Sequence, residues 1–159
     1  YKGFVFIGLI KVNNEPYVIE YNCRMGDPET EVVVPRLMND LVELFVMLLN
    51  GGLSSAEIDI DDRAAATVMV VSGGYPGAYQ KGLPISLPDG MMMDPYVFLY
   101  HAGTKLLEDE TLVTNGGRVI SVTALADTIQ RAAEEATTIA AQIEFEGSYL
   151  RKDIGYEFK

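Results

Sequence analysis

The sequence has little of several residue types, and each shortage excludes a class of site. Its 159 residues include one cysteine and one histidine. A single cysteine, Cys23, can form no disulfide within the chain and can build no cysteine-based metal site. A single histidine, His101, excludes a zinc site made of several histidines from this chain. Such sparing use of cysteine is typical of a reducing compartment, so we expect a cytoplasmic protein.

Long hydrophobic runs and positive charges are also scarce. No apolar run approaches the ~18 residues that a membrane-spanning helix needs, and the residues after Tyr1 do not resemble a secretory leader. Twelve basic and 23 acidic residues give a formal net charge of −11. Because binding to nucleic acids or anionic membranes requires a basic surface, we expect neither as a partner.

The first 63 residues predict a β-hairpin. Residues 4–12 and 17–22 are rich in β-branched and aromatic residues, and the polar residues 13–15 between them mark a turn. Strict alternation in the second strand predicts that Val18, Glu20 and Asn22 share one face.

A helix is predicted to follow the polar loop 23–34. Pro35 suits its first turn, and Asn50-Gly51-Gly52 ends it. Apolar residues recur at helical spacing between these signals, at Leu37, Leu41, Leu44, Phe45, Leu48 and Leu49. A hairpin and one helix cannot bury both of their faces. Residues 1–63 are therefore expected either to pack on the rest of the chain or to end a larger domain that begins upstream of Tyr1.

Residues 64–159 contain short apolar runs separated by glycine-rich turns, a pattern that predicts a small β-rich domain with a closing helix. Strands are predicted at 64–72, 97–101, 104–107 and 118–124, a turn at 88–90, and a hairpin turn at Asn115-Gly116. Met91–Met93 is expected to be an adaptable packing segment. The closing helix is predicted at 126–145, with Asp127 in its first turn. The fold class is therefore α+β, with a domain boundary near residue 63.

The most informative polar residues lie at the end of the hairpin. Glu20, Asn22 and Arg24 are spaced i, i+2, i+4, which places them on one side of an extended strand. Carboxylate and carboxamide oxygens suit Mg²⁺, which also takes phosphate oxygens, and a guanidinium binds phosphate through charge-assisted hydrogen bonds. From spacing alone, a solvated strand face is the more common explanation of these residues.

The segment that contains them reads VIEYNCRMGDPETE, residues 18–31. The E-x-N-x-R pattern followed by Gly-Asp-Pro-Glu-Thr resembles the ATP-grasp ligases, and most closely the glycinamide ribonucleotide synthetases (phosphoribosylamine–glycine ligases). The resemblance continues in the family's order through residues 72–77 (SGGYPG), 101–104 (HAGT), 114–119 (TNGGRV), 122–124 (VTA) and 151–155 (RKDIG). It covers the whole chain but only about the last third of the family's length.

The resemblance implies a fold and a reaction. Residues 1–63 would be the end of the ATP-grasp large lobe, and residues 64–159 the C-terminal β-rich domain. The family's enzymes use ATP to join glycine to 5-phosphoribosylamine through a glycyl phosphate, in purine biosynthesis. The expected cofactors are ATP and Mg²⁺, with Mn²⁺ as an alternative metal.

The resemblance also assigns residues. It makes Glu20 and Asn22 the metal ligands, and Arg24 the catalytic residue that contacts the ATP phosphates. The position of the loop after the metal strand suggests that Asp27 and Thr30 bind substrate, although both also suit a structural turn.

In the second domain, Gly116, Gly117 and Arg118 are candidates for binding a substrate phosphate, with a hairpin turn as the alternative. His101 is given no catalytic role.

Parts of the family that carry the adenine pocket and the glycine-rich phosphate loop have no counterpart in these 159 residues. We therefore expect this polypeptide alone to be inactive and to need the N-terminal portion of the same enzyme. Two other functions stay open: another ATP-grasp carboxy-amine ligase or carboxylase, which the Gly-Asp-Pro-Glu-Thr loop disfavours, and a non-catalytic acidic interaction module.

Overall fold

The computed structural model describes residues 1–88 and 94–158 and divides the chain into two compact units, Tyr1–Asp61 and Asp62–Lys159. Both units mix strands with a few helices, which confirms the α+β class. The Met91–Met93 segment and most of the turn predicted at 88–90 lie outside the described residues. Within those residues, no helix is long and apolar enough to cross a membrane.

The first unit begins with the predicted hairpin. Strands β1 (Phe6–Val12) and β2 (Glu15–Asn22) pair in antiparallel fashion. Asn13 and Asn14 have φ angles of 51° and 69°, the left-handed conformation that a tight hairpin turn requires and that asparagine tolerates well.

A β-bulge changes the faces of β2. Gly8 pairs with Glu20, but the next residue of β1, Leu9, pairs with Val18, so Ile19 is an extra residue on β2. Adjacent residues of β1 point to opposite faces, and each partner on β2 shares the face of the residue that it opposes. Glu20 and Asn22 therefore share a face as predicted, whereas the prediction that Val18 joins them is wrong.

Helical structure in the first unit differs from the prediction. A short helix, α1 (Thr30–Val33), and a 3₁₀ turn (Val34–Arg36) occupy part of the predicted loop and the expected helix start. The main helix, α2, runs from Leu41 to Leu49 and is followed by a 3₁₀ turn at Leu53–Ser55.

Asp40 decides where α2 begins. Its carboxylate accepts hydrogen bonds from the backbone N–H groups of Val42 (2.8 Å) and Glu43 (3.1 Å), which makes it the N-cap. The start predicted at Pro35 is wrong, because this cap fixes the helix start at Leu41, six residues later. Leu37, expected on the helix, forms an isolated bridge with Ile60 instead.

The second unit is built on a three-stranded antiparallel sheet in the order β3-β7-β4. These strands span Ala64–Val71 (β3), Val97–His101 (β4) and Arg118–Ala126 (β7). Strands β5 (Thr104–Leu106) and β6 (Leu112–Thr114) form a separate antiparallel pair. A 3₁₀ turn at Tyr156–Phe158 lies near the end of the chain.

Helix α3 (Ile129–Ala140) packs against β3 and β7 and encloses the core. The largest core cluster combines apolar residues of the sheet, two alanines of the helix and two large residues that follow the helix: Val68, Val70, Val97, Val119, Ile120, Val122, Ala124, Ala136, Ala140, Ile143 and Phe145. Alanine on the helix face lets the helix approach the sheet closely, and burial of this apolar surface stabilises the unit.

Two further predictions need correction. Asn115-Gly116 does not close a hairpin, because β6 pairs with β5 while β7 pairs with β3 and β4. The helix begins after Thr128, whose hydroxyl accepts a hydrogen bond from the N–H of Arg131. Asp127 thus precedes the N-cap rather than lying in the first turn, and its carboxylate is 3.8 Å from the Arg131 guanidinium.

The connection between β6 and β7 depends on a close backbone contact. The N–H of Asn115 donates to the carbonyl oxygen of Gly103 (2.7 Å), and the N–H of Gly103 donates to the carbonyl oxygen of Arg118 (2.8 Å). A Cβ atom at Gly103 would lie 2.6 Å from the Cα atom of Gly116 and would also collide with the Arg118 carbonyl. Only glycine therefore fits at position 103.

Gly103→Ala should lower the free energy of unfolding by about 1–3 kcal/mol, because the added methyl group forces two backbone segments apart. Gly52→Ala is the control. Its φ is −93° and the nearest atom to an added Cβ is Met47 O at 3.8 Å, so it should change stability by less than ~0.5 kcal/mol. Urea unfolding followed by circular dichroism measures both, and equal midpoints for the two variants would contradict the packing described.

Candidate functional site

Strand β2 presents Glu20 and Asn22 side by side. The Nδ2 atom of Asn22 donates a hydrogen bond to Glu20 Oε1 at 3.0 Å. This contact leaves Glu20 Oε2 and Asn22 Oδ1 with lone pairs to offer a ligand. Glu20 is exposed and Asn22 is half-buried, so the pair is open to solvent on one side.

Gly8 makes room for the glutamate. It lies opposite Glu20 in the hairpin, and a Cβ atom at this position would be 3.2 Å from Glu20 Cγ. The glutamate side chain thus lies over the glycine backbone of the neighbouring strand. Sequence reasoning missed Gly8, although a glycine inside a β-rich run is a known sign of a bulge or a close approach.

Arg24 is not on the strand that was expected to carry it. β2 ends at Asn22, and Arg24 lies in the bend that follows, with its guanidinium donating to the carbonyl oxygen of Met25 at 3.2 Å. The i, i+2, i+4 argument therefore holds for Glu20 and Asn22 only. Arg24 is exposed and close in sequence to the pair, so its assignment as the phosphate-contacting residue stays a prediction.

The loop after β2 is a tight turn held by Thr30. Its hydroxyl and its N–H both donate to the carbonyl oxygen of Gly26, at 2.7 and 3.1 Å. The carboxylate of Glu29 folds back over Gly26 and occupies the place that a Cβ atom would take. These contacts give Thr30 a structural role, and Asp27 is exposed on the same turn. The substrate roles predicted for Asp27 and Thr30 remain predictions.

Glu31 is a candidate that the sequence left unassigned. Among the residues that the structure describes, its Oε2 atom and Ser121 Oγ are the buried side-chain polar atoms without a hydrogen-bond partner. A buried carboxylate oxygen without a partner is costly, and a bound cation or donor would relieve that cost. Glu31 follows the turn directly, on α1.

Gly116, Gly117 and Arg118 belong to the second unit, where packing explains both glycines. Gly116 lies against Gly103, and the ring of Tyr75 occupies the space where Gly117 would carry a Cβ atom. Gly117 is buried, and Arg118, the first residue of β7, is half-buried. Their predicted role in binding a phosphate stays a prediction.

The motif at residues 151–155 has a structural explanation. The Arg151 guanidinium donates two hydrogen bonds of 2.9 Å to the Asp153 carboxylate, and these bonds raise the pKa of Arg151. Ile154 packs against the core, and Gly155, with φ of 77°, lies against Ala133 of α3. The motif therefore fastens the end of the chain to the helix.

No preassembled metal cluster accompanies the Glu20–Asn22 pair. In residues 1–88 and 94–158, no group of three or more histidine, cysteine, aspartate or glutamate side chains is arranged to hold a metal ion. One carboxylate and one carboxamide nevertheless fit Mg²⁺, because this ion usually takes one or two protein ligands and completes its shell with water and substrate phosphates.

Comparison with known proteins identifies the family. Residues 65–157 match the model of the family described as "Phosphoribosylglycinamide synthetase, C domain". The chain belongs to this family. The match confirms the resemblance to the glycinamide ribonucleotide synthetases.

Relatives extend the similarity beyond the C domain. A phosphoribosylamine–glycine ligase of Chlorobaculum tepidum is 43% identical over 155 residues, which cover 98% of this chain and 36% of the relative. The trifunctional purine biosynthetic protein adenosine-3 of Gallus gallus is 46% identical over 158 residues, which cover 98% of this chain and 16% of the relative. The chain thus spans about a third of the length of the single-function ligase that it matches.

A solved structure shares the fold. The crystal structure of a phosphoribosylamine–glycine ligase from Thermotoga maritima superposes with a TM-score of 0.73 and is 34% identical. The superposition covers 94% of this chain and 36% of that one. The similarity therefore includes the hairpin unit as well as the C domain.

Proposed function

We propose that this chain is part of an ATP-dependent carbon–nitrogen ligase that joins glycine to 5-phosphoribosylamine in purine biosynthesis. The observation that carries the proposal is the identity of 43% to a phosphoribosylamine–glycine ligase over 98% of the chain. That similarity includes the unit with Glu20 and Asn22 side by side on β2. The rest of the enzyme would supply the adenine pocket and the glycine-rich phosphate loop.

The reaction proceeds in two transfers. The glycine carboxylate attacks the γ-phosphorus of ATP, which forms glycyl phosphate and releases ADP. The amine of 5-phosphoribosylamine then attacks the acyl carbon, loses a proton and expels inorganic phosphate, which gives glycinamide ribonucleotide. Because the first step brings two anions together, charge neutralisation and alignment dominate the catalysis.

Glu20 and Asn22 would hold Mg²⁺, or Mn²⁺ in its place. Their 3.0 Å contact fixes the two side chains relative to each other, and β2 keeps both on one face. When bound, the cation would neutralise phosphate charge on the nucleotide. The bulge at Ile19 and the glycine opposite Glu20 set the position of this pair before any ligand arrives.

Arg24, Asp27 and Thr30 follow the pair and would contact the anions and the amino acid. The exposed guanidinium of Arg24 would donate to phosphate oxygens in place of its present acceptor, the Met25 carbonyl. Asp27 would bind the ammonium group of glycine, and Thr30 orders the turn through its two bonds to Gly26.

Glu20→Gln in the complete protein that carries this chain should lower kcat roughly 100-fold, because the amide keeps the shape of the side chain but loses the charge that binds the cation. Glu15→Gln is the matched control, since Glu15 is an exposed glutamate at the other end of the same strand. Phosphate release with glycine and phosphoribosylamine present measures both. Full activity of Glu20→Gln would contradict the metal role and favour a non-catalytic module.

A polypeptide of these 159 residues should release no phosphate from ATP when glycine and phosphoribosylamine are present. This polypeptide contains the two proposed metal ligands but not the glycine-rich phosphate loop that would align the nucleotide. The complete protein, assayed in parallel, is the positive control. Turnover by the 159-residue polypeptide would overturn the claim that the remainder of the ligase is needed.

A further inference from the structure

The segment before β1 connects to the chain at the open end of the hairpin. The ladder between β1 and β2 ends at the pair of Phe6 and Asn22, and both backbones continue beyond it. The hydroxyl oxygen of Tyr1 lies 2.6 Å from the carbonyl oxygen of Cys23 and 3.0 Å from that of Phe4. A hydroxyl has one hydrogen to donate, and the shorter distance favours Cys23 as its acceptor. We call this contact between Tyr1 and Cys23 the tyrosine clasp.

Gly3 allows the tyrosine ring to fold back over the backbone. A Cβ atom at this position would lie 2.7 Å from the Tyr1 hydroxyl oxygen and 3.0 Å from Cζ of the same ring. The φ angle of Gly3 is 149°, which residues with a side chain rarely adopt. The space beneath the ring and the backbone conformation therefore both favour glycine.

Two contacts hold the same segment against helix α2. The Nζ atom of Lys2 donates to the carbonyl oxygen of Leu49, in the last turn of the helix, at 2.9 Å. The ring of Phe4 meets that of Phe45 edge to face, with centroids 6.0 Å apart and planes at 77°. Tyr1 is therefore carried by a segment that the helix holds in place.

We propose that Tyr1 is a positioning residue for the metal and nucleotide site. The carbonyl that it contacts belongs to Cys23, which lies between the proposed metal ligand Asn22 and the proposed phosphate-contacting residue Arg24. Arg24 lies in the bend beyond the end of the ladder, so the clasp fixes the peptide that leads into it. This inference rests on the proposed function and adds a residue that acts through the backbone of its neighbours.

Exposure of the clasp separates its effect on folding from its effect on the site. Tyr1 and Cys23 are both exposed, and water can replace the hydroxyl as the donor to the Cys23 carbonyl. Removing the hydroxyl should therefore change the stability of the protein little. Water does not hold the peptide between Cys23 and Arg24 in one orientation, so a ligand that needs Asn22 and Arg24 in place should bind less tightly.

Binding of Mn²⁺ to the complete protein in the presence of ADP tests the proposal without a turnover assay. Electron paramagnetic resonance measures the free Mn²⁺. Tyr1→Phe removes one hydroxyl and should raise the Kd for Mn²⁺ with ADP about fivefold, the size expected for the loss of one hydrogen bond. Tyr17→Phe is the control, because Tyr17 is an exposed tyrosine near the other end of β2. An unchanged Kd for Tyr1→Phe, or an equal rise for Tyr17→Phe, would overturn the proposal.

Two further measurements distinguish positioning from a purely structural role. The melting temperature of Tyr1→Phe should equal that of Tyr17→Phe; a lower melting temperature with an unchanged Kd would assign the hydroxyl to folding alone and overturn the proposal. Gly3→Ala should raise the Kd about fivefold as well, because the methyl group displaces the ring. In a Tyr1→Phe background, which has no hydroxyl to displace, it should change the Kd no further. An unchanged Kd for Gly3→Ala alone would contradict the clasp.

Kinetics of the complete protein separate this inference from the proposed function. Tyr1→Phe should raise the KM for ATP about fivefold and leave the KM for glycine unchanged, because Thr30 holds the turn after β2 by its own bonds to Gly26. If the unsubstituted protein forms glycinamide ribonucleotide and Tyr1→Phe has the same KM for ATP, the inference fails and the proposed function stands. If the unsubstituted protein forms none, the proposed function fails, while the Mn²⁺ titration still decides the role of Tyr1. Absence of Mn²⁺ binding to the unsubstituted protein with ADP would overturn both.

Discussion

Strand β7 is the element on which the second unit depends. It pairs with β3 along one edge and with β4 along the other, and every residue from 119 to 125 is buried. Helix α3 packs its alanines against one face of the sheet. Strand β7 is therefore held both by backbone hydrogen bonds to its two neighbours and by side-chain packing against the helix. Its first residue, Arg118, is therefore held beside Gly103, whose N–H donates to the Arg118 carbonyl oxygen.

The first unit is organised differently. None of its residues, all of which the structure describes, is buried, and large apolar side chains are exposed on both strands of the hairpin. Local structural features fix its backbone instead: the Asn13–Asn14 turn, the bulge at Ile19 and the helix N-cap at Asp40. The turn and the bulge set the position of Glu20 and Asn22 on β2, although no buried hydrophobic core supports the hairpin. The buried core thus belongs to the second unit, and the proposed metal ligands belong to the first.

Much of the second unit could be predicted from the sequence, because its β-branched runs and the helical spacing of its apolar residues reflect burial in its core. The faces of β2 were predicted correctly only from Glu20 onward, because the bulge at Ile19 leaves no trace in the period-two pattern of the strand that carries it. Asn115-Gly116 has the chemistry of a hairpin turn, but local chemistry does not say which strand will be the partner. The start of α2 was missed because two hydrogen bonds to the Asp40 carboxylate fix the first turn of the helix. Pro35 is compatible with a first helical turn but does not fix one. The roles proposed for Arg24 and Asp27 depend on the family resemblance and on the position of the loop after β2.

The most direct test of the metal assignment is anomalous scattering from Mn²⁺ in crystals of the complete protein grown with ADP. The account predicts a peak about 2.1 Å from a carboxylate oxygen of Glu20 and from Asn22 Oδ1, with phosphate oxygens completing the shell. A Mn²⁺ peak in the nucleotide site that contacts neither side chain would contradict it.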